Sequence, residues 1–592
     1  MHSFLKLKEM KTNHIILSGL CLFIIFFFLK DIIKLNGIVV INDEFGYWGI
    51  ASHMAGKSWS GLLPTAPYYA FGYSLLLVPL YWLNIEPTAM YHIAIIFNVV
   101  FILASYIISI CCIKKLFPQI SNLKSYFICF ALTFYTNNII QAQVAWSETL
   151  LYFLVWLLFY IFILNVEKPK FWNYSAGIIV AVYMYYVHQR MIGVVLVYIV
   201  LILFNNLSKK ENKKIIFSSV IIFAILFAIG NLVKVNIISN VFTNPELASM
   251  NDFGGQAGKI QTILFTKNGF LNFLQSIAGK FYYIGISTLL IGLGGLWVLG
   301  GDVLTLVNDL FKTKFKLYNN RQLISLFVFM AFLSLFLIDA ISMYNNAGRL
   351  DVLVYGRYME PAFGLIIFYG LTDLIASQKS KKFVIPQILV LLILSFVVNK
   401  GFIEANSKIF NGFCSSTIYF FFKYVSDIPN LSFYITLMLL IPGCMIWIIN
   451  IKENKKTIYN FLTTLLIIIV SWGWLSSFSG ALYQQEEAQN NIGLIIEKIK
   501  ENENGDYKII YVKDSNDEIS SVGDINIKYL QYYFPNKTIE VLDIKDIIDI
   551  KEEGDLFLVM DNNSKAFDRL VTRYEIIENT NVFTLFYDNK NA

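Results

Sequence analysis

Apolar stretches of bilayer-spanning length recur along this chain from residue 14 to residue 478, and no other feature restricts its fold as much. A hydrocarbon core about 30 Å thick admits helices of roughly 20 apolar residues, because every backbone N–H and C=O must be satisfied within the span. Spans are expected at about 14–30, 90–113, 125–142, 147–165, 173–187, 191–206, 215–236, 277–298, 322–341, 359–377, 383–399, 432–450 and 457–478. The fold class that follows is a polytopic α-helical membrane protein with about thirteen transmembrane helices. With 56% hydrophobic and 15% charged residues, the composition overrides the several soluble domains that 592 residues would otherwise suggest.

Basic clusters orient the spans through the excess of Lys and Arg on the cytoplasmic side. They fall at Lys114/Lys115/Lys124, Lys168/Lys170, Lys209/Lys210/Lys213/Lys214, Lys312/Lys314/Lys316, Lys379/Lys381/Lys382 and Lys452/Lys455/Lys456, with an outward-and-return pair of spans between successive clusters. An odd number of spans with a cytoplasmic N-terminus places everything after residue 480 outside. The first span ends in Leu29-Lys30-Asp31-Ile32-Ile33 with no small-residue cleavage site, so it reads as a retained anchor. Residues 68–84 are apolar but short and carry Pro79 after Pro67, which suits an interfacial hairpin on the outer face.

Residues 1–480 then form a transmembrane unit with outer loops at 34–89, 237–276, 342–358 and 400–431. Residues 481–592 are charged throughout. Short apolar runs at 507–512, 538–542 and 556–560 alternate there with helix-like stretches such as 525–534, the pattern of a small extracytoplasmic α/β domain, expected to be dispensable for folding of the bundle and to cap its outer face or help bind acceptor. The six cysteines sit mostly inside spans, with no Cys-x-x-Cys, so neither a disulfide framework nor a zinc site is expected.

Ionisable residues collect at the outer face. Asn42-Asp43-Glu44-Phe45-Gly46-Tyr47-Trp48 follows the first span, and there Asp43 could also serve as a helix cap. Glu148 stands in Gln143-Val144-Ala145-Trp146-Ser147-Glu148 at the mouth of the fourth span. His188 and Arg190 occupy the minimal turn between spans five and six. Arg357, Tyr358 and Glu360 open span ten. Any one of these could merely snorkel to the interface. Charges are costly inside a bilayer, and their convergence on one face points to a site.

These segments resemble the GT-C glycosyltransferases, the polyprenyl-phosphate-sugar-dependent enzymes that include protein O-mannosyltransferases and aminoarabinose transferases. Asp43-Glu44-Phe45-Gly46-Tyr47-Trp48 and the Pro- and Tyr-rich stretch ending in Leu75-Leu76-Leu77-Val78-Pro79 are similar to the family's first outer loop. The 143–157 stretch resembles its second acidic position, and the 184–197 stretch the segment carrying an Arg at a span junction. Gly356-Arg357-Tyr358-Met359-Glu360-Pro361 looks like its Arg-Tyr-x-x-x-Pro element, but with two residues rather than three before the Pro. The likeness in layout covers roughly residues 14–478.

The resemblance implies a glycosyltransferase that moves a monosaccharide from a polyprenyl-phosphate donor to a protein, lipid or cell-wall glycan on the outer face of the membrane. It implies Asp43 as the base for an inverting attack, with Glu44 beside it. Arg357 and Arg190 would hold the lipid phosphate, assisted by His188 or Lys280, while Glu148 orients Arg190 or binds a sugar hydroxyl and Tyr358 offers its hydroxyl. The chemistry agrees: phosphate leaves readily, so one carboxylate plus guanidinium groups would suffice. The 254–259 stretch is not a phosphate-binding Walker loop, since Phe253 stands where its first Gly should be and Ile260 follows Lys259; it reads as part of a flexible loop over substrate. No Asp-x-Asp pair suggests a nucleotide-sugar metal site. No cofactor motif occurs, a divalent-metal requirement stays open, and nothing directs the chain to nucleic acid. The alternative is a transporter or flippase of lipid-linked glycans without bond chemistry; a glycan ligase or polymerase is a third class. Lys-, Ile- and Asn-rich usage suggests an AT-rich bacterial genome.

Overall fold

A computed structural model describes residues 2–588 except 39–40, 209–212, 243, 250–252, 314–318, 346–347, 378, 406, 408, 419–420, 422–429, 453–464, 466–479, 503–506, 514–520, 548–554, 563 and 565–566. The expected span at 457–478 lies almost wholly outside the described residues. Nine helices among the described residues are long and apolar enough to cross a membrane, including Pro87–Leu116, Ser147–Glu167 and Asn320–Ser342. The chain is a multi-pass membrane protein.

The helices depart from the expected spans where backbone must be freed near one end of the bundle. The expected crossing at 125–142 is two pieces, Asn122–Thr133 and Thr136–Gln141, followed by turns. Irregular backbone inside a bundle needs polar partners, and Asn98, buried in Pro87–Leu116, supplies them by donating to the Ala142 carbonyl at 3.2 Å and the Val144 carbonyl at 2.8 Å. The expected span 277–298 falls across a break. Lys267–Ser287 ends there, Leu289 and Leu290 take left-handed φ of 52° and 68°, and Ile291–Lys312 is the membrane-length helix. Apolar composition continues through the break, so hydropathy alone could not place it.

The segment expected as a mobile loop at 237–276 is largely helical. It holds Pro245–Ser249 and Phe253–Phe265, and Thr266 then caps the next helix by accepting from the Gly269 amide at 3.0 Å. The 68–84 stretch holds only the nine-residue helix Ser74–Trp82, interrupted by Pro79. At 1.5 Å per residue, it is too short to cross.

The C-terminal part forms a five-stranded sheet in the order β2-β1-β3-β5-β4, from β1 (Tyr507–Lys513), β2 (Ile539–Asp543), β3 (Asp555–Asp561), β4 (Glu575–Asn579) and β5 (Phe583–Asp588). β1 runs parallel to β2 and β3, and the β4–β5 hairpin adds antiparallel to β3. The three expected apolar runs are β1–β3; the hairpin was not foreseen. Period-two alternation then divides the side chains. Ile510, Val512, Leu558, Met560 and Phe586 face a small core of their own. Ile509, Tyr511, Phe557, Val559, Phe583 and Leu585 join one continuous core with the helix bundle. That core also holds Ile495 and Ile499 of helix Leu494–Asn502 and Ile527 and Leu530 of helix Ser521–Tyr533, so the sheet, its own helices and the bundle are packed as one.

Deleting residues 490–592 is therefore expected to lower the melting temperature of the detergent-solubilised protein and to shift tryptophan emission to the red, because Trp48, fully buried against Tyr532 at 5.1 Å between ring centroids, would be uncovered. An unchanged melting curve and emission maximum would show that the bundle does not depend on the sheet.

Candidate active site

Asp43 and Glu44 lie in the first turn of helix Ile41–Met54. The turn has its own amides to offer to acidic side chains, and both carboxylates also reach partners outside the helix. Asp43 accepts from the Tyr69 hydroxyl at 2.5 Å through Oδ1 and pairs through Oδ2 with Arg357 Nη1. Glu44 is fully buried; one of its oxygens accepts from the Tyr91 hydroxyl at 2.9 Å and the Ala145 amide at 2.8 Å. The two adjacent carboxylates thus divide their work. Asp43 keeps 16% of its side chain exposed, whereas Glu44, expected beside the base as a catalytic group, ties helix 41–54 to the segment that carries Trp146 and Glu148.

Glu148 opens helix Ser147–Glu167, and its carboxylate is shared by two guanidinium groups. Arg357 Nε donates to Oε1 at 2.7 Å, and Arg190 Nη2 donates to Oε2. Asp43, Arg357, Glu148 and Arg190 therefore form a line of alternating charge drawn from four separate segments. Beneath it, the Arg357 guanidinium lies 3.9 Å from the Trp146 ring centroid, and Arg190 lies 4.7 Å from that of Tyr358. Stacking suits planar guanidinium groups with few waters around them. Arg190 is 5% exposed, and its Nε and Nη1 have no hydrogen-bond acceptor among the described residues.

The turn between helices Phe171–Val187 and Ile192–Ser208 positions Arg190. His188 precedes it and accepts from the Arg190 amide at 3.4 Å, its ring 5.8 Å from Tyr358. Burial, then the charges of Arg190 and Arg357, hold the His188 imidazole well below its ordinary pKa, so it stays neutral at pH 7. The cationic character of the site comes from the arginines.

Arg357 sits on an irregular segment that needs external support. The Gly356 and Arg357 amides both donate to the Cys414 carbonyl, at 2.9 and 3.2 Å. A Cβ on Gly356 would fall 1.9 Å from the Tyr283 ring, so only glycine lets the segment pass there. Tyr283 in turn donates to Glu360 at 2.5 Å. Lys280 was expected to assist at the phosphate. It is fully buried instead, donating to the Val352 carbonyl at 2.6 Å and lying 4.0 Å from the equally buried Asp339. Through the Val352 carbonyl it braces the segment that delivers Arg357.

The structure thus brings Asp43, Glu148, Arg190, Arg357, His188 and Tyr358 together, and sets Glu44 and Lys280 behind them as supports. Tyr69, Trp146 and Asp339 were not singled out from the sequence. The first two lie in segments already quoted for other residues, while Asp339 ends an apolar helix and carried no local signal. No group of three or more His, Cys, Asp or Glu side chains placed to hold a metal ion occurs among the described residues.

No protein-family profile matches the chain, and no curated protein does. Among solved structures, it matches ArnT from Cupriavidus metallidurans bound to undecaprenyl phosphate with a TM-score of 0.53 at 13% identity, over 98% of each chain. The apo form of the same protein matches with a TM-score of 0.52 at 12% identity, again over 98% of each chain. At this identity the likeness is one of fold: the chain shares the fold of ArnT over nearly its whole length.

Removing one partner of a buried pair strands the other charge, at a cost of about 3–5 kcal/mol. Lys280→Met should therefore lower stability by roughly that amount, and adding Asp339→Asn should recover part of it. Thermal unfolding in detergent measures both; a Lys280→Met protein that melts like the wild type would mean that Asp339 is held by something other than Lys280.

Proposed function

We propose that this chain is a membrane glycosyltransferase that transfers a monosaccharide from a polyprenyl-phosphate donor to an acceptor hydroxyl at the membrane face carrying the sheet domain. The observation that carries this reading is a part-exposed carboxylate, Asp43, paired with the stacked Arg357 guanidinium, which Glu148 links to a second, Arg190, whose buried Nε and Nη1 have no acceptor among the described residues. Buried donors of that kind call for an anion with several oxygens. The neighbour's bound undecaprenyl phosphate supports a lipid phosphate in that role. The basic-cluster reading puts this face outside the cytoplasm.

In the reaction, the acceptor oxygen attacks the anomeric carbon from the side opposite the phosphate. Its bond to that carbon forms as the carbon–oxygen bond to phosphate breaks, and the configuration inverts. The acceptor's proton goes to Asp43, and the departing electron pair goes to the phosphate oxygen, where Arg357 and Arg190 neutralise it. Arg357 contacts Asp43 directly, so a phosphate that draws this guanidinium toward itself also frees an oxygen of the base. Glu148 keeps both guanidinium planes in place. The acceptor can be a protein, lipid or glycan hydroxyl.

Asp43→Asn keeps the shape but cannot take the proton, so turnover of labelled donor lipid in membranes should fall by about 10²–10⁴-fold with donor binding retained. Wild-type turnover in this variant would remove Asp43 as base, and a protein that moves the lipid across the bilayer without transferring sugar would be a transporter. Arg190→Lys should weaken binding of polyprenyl phosphate less than Arg190→Ala, because an ammonium offers a point charge where the guanidinium offers two aligned donors. In the wild type that affinity should not fall as pH rises from roughly 6 to 8, since a neutral imidazole adds no charge, and His188→Gln should leave it within about twofold. A wild-type loss of affinity through that window, absent from His188→Gln, would show instead that a protonated His188 binds the phosphate.

A further inference from the structure

Helix Ile41–Met54, which carries Asp43, is gripped on several sides by residues from the C-terminal part. Ahead of it, the Asn36 amide donates to Gln485 Oε1 at 2.5 Å, and Tyr533 donates its hydroxyl to the Asn36 carbonyl at 3.0 Å. Behind it, the Tyr532 ring meets Trp48 edge-on, and its hydroxyl reaches the Pro87 carbonyl at 2.7 Å. Past its end, Trp59 donates to the Pro535 carbonyl at 3.2 Å.

Tight docking accounts for those bonds; it does not account for Lys528. This residue lies in helix Ser521–Tyr533 with 2% of its side chain exposed. Its ammonium donates to Asp524 Oδ2 at 2.7 Å, one helical turn back, and to Asn42 Oδ1 at 2.6 Å. Asp524 keeps 35% of its side chain exposed, so a surface lysine could have paired with it at no desolvation cost. Burying an ammonium is costly, and an apolar side chain of the same length would have packed as well. What burial adds is the hydrogen bond to Asn42, the residue immediately before Asp43. The first turn of a helix lacks intrahelical acceptors for its amides and is its least constrained part. A tether at Asn42 stiffens that turn and sets the direction of the next side chain.

We propose that Lys528 is a positioning residue for Asp43: bonded to Asn42, it fixes the first turn of the helix and hence the aim of the carboxylate, which makes the C-terminal domain a working part of the active site. The role in turnover rests on the glycosyltransferase reading above; the mechanical coupling does not. A carboxylate that must meet an acceptor hydroxyl and a sugar carbon together tolerates little misplacement, and an error of about 1 Å can cost on the order of 10²-fold in rate.

The test uses the full-length protein in nanodiscs, with Lys528→Met, Lys528→Arg and Asn42→Ala, read by donor-lipid kinetics and by deuterium uptake of the peptide spanning residues 41–54. Lys528→Met should lower kcat by about 10–100-fold with KM for the donor within about twofold, and should raise uptake at the start of the peptide. Lys528→Arg should recover most of the rate. Asn42→Ala changes an exposed side chain on the bundle side and should reproduce the effect if Lys528→Met does not fold. Unchanged uptake and unchanged kcat in both Lys528→Met and Asn42→Ala would overturn the proposal, as would a raised KM with kcat intact, which would make Lys528 a binding residue. If the wild type transfers no sugar but uptake rises in both variants, the coupling stands and the glycosyltransferase reading falls.

Discussion

The Glu148 carboxylate, 4% exposed and shared between two guanidinium groups, is the group on which the rest of the site depends. Charges taken out of water are tolerated only where their partners and hydrogen bonds are nearly complete. Glu148 supplies one oxygen to Arg190 and the other to Arg357, and Arg357 passes the alternation on to Asp43. Four stretches of chain distant in sequence meet there. Geometry is conferred as well as stability: each guanidinium is held between a carboxylate edge and an aromatic ring, which fixes the plane of its remaining donors.

Such a cluster cannot be built from regular helices alone, because side chains from four segments must converge near one bundle end. The chain answers with irregular backbone, and each irregular stretch has its own polar support. Asn98 holds the turns before Trp146; Lys280 and the Cys414 carbonyl hold the stretch before Tyr358. Asp351 adds a further tie by accepting from the Asn411 amide at 3.0 Å while pairing with Arg349. Many of the polar residues buried in this membrane protein serve to free backbone from helices where function needs it.

The C-terminal sheet is joined to this arrangement by chemistry as well as by packing. Helix Ser521–Tyr533 lies against helix 41–54, and its Lys528, Tyr532 and Tyr533 reach that helix and the segments on which it rests. Length and composition favour a detachable accessory, but the alternation of side chains across the sheet sends one set of them into a core that the sheet's own helices share with the bundle.

The sequence by itself determined the class of the molecule: repeated apolar stretches near twenty residues long leave a chain no other solution in a bilayer, and charges gathered between them mark one face. It also named most of the cluster, since Asp43, Glu148, Arg190 and Arg357 stand out against apolar surroundings. Only the tertiary structure decided which of two adjacent carboxylates stays partly exposed, because a one-residue step on a helix turns a side chain by about 100° and burial depends on what lies there. It alone set Lys280 beside the buried Asp339, and placed the break at 288–290 inside an expected span. Those outcomes depend on partners far away in the chain, and hydropathy, which averages over neighbours in sequence, carries no record of them.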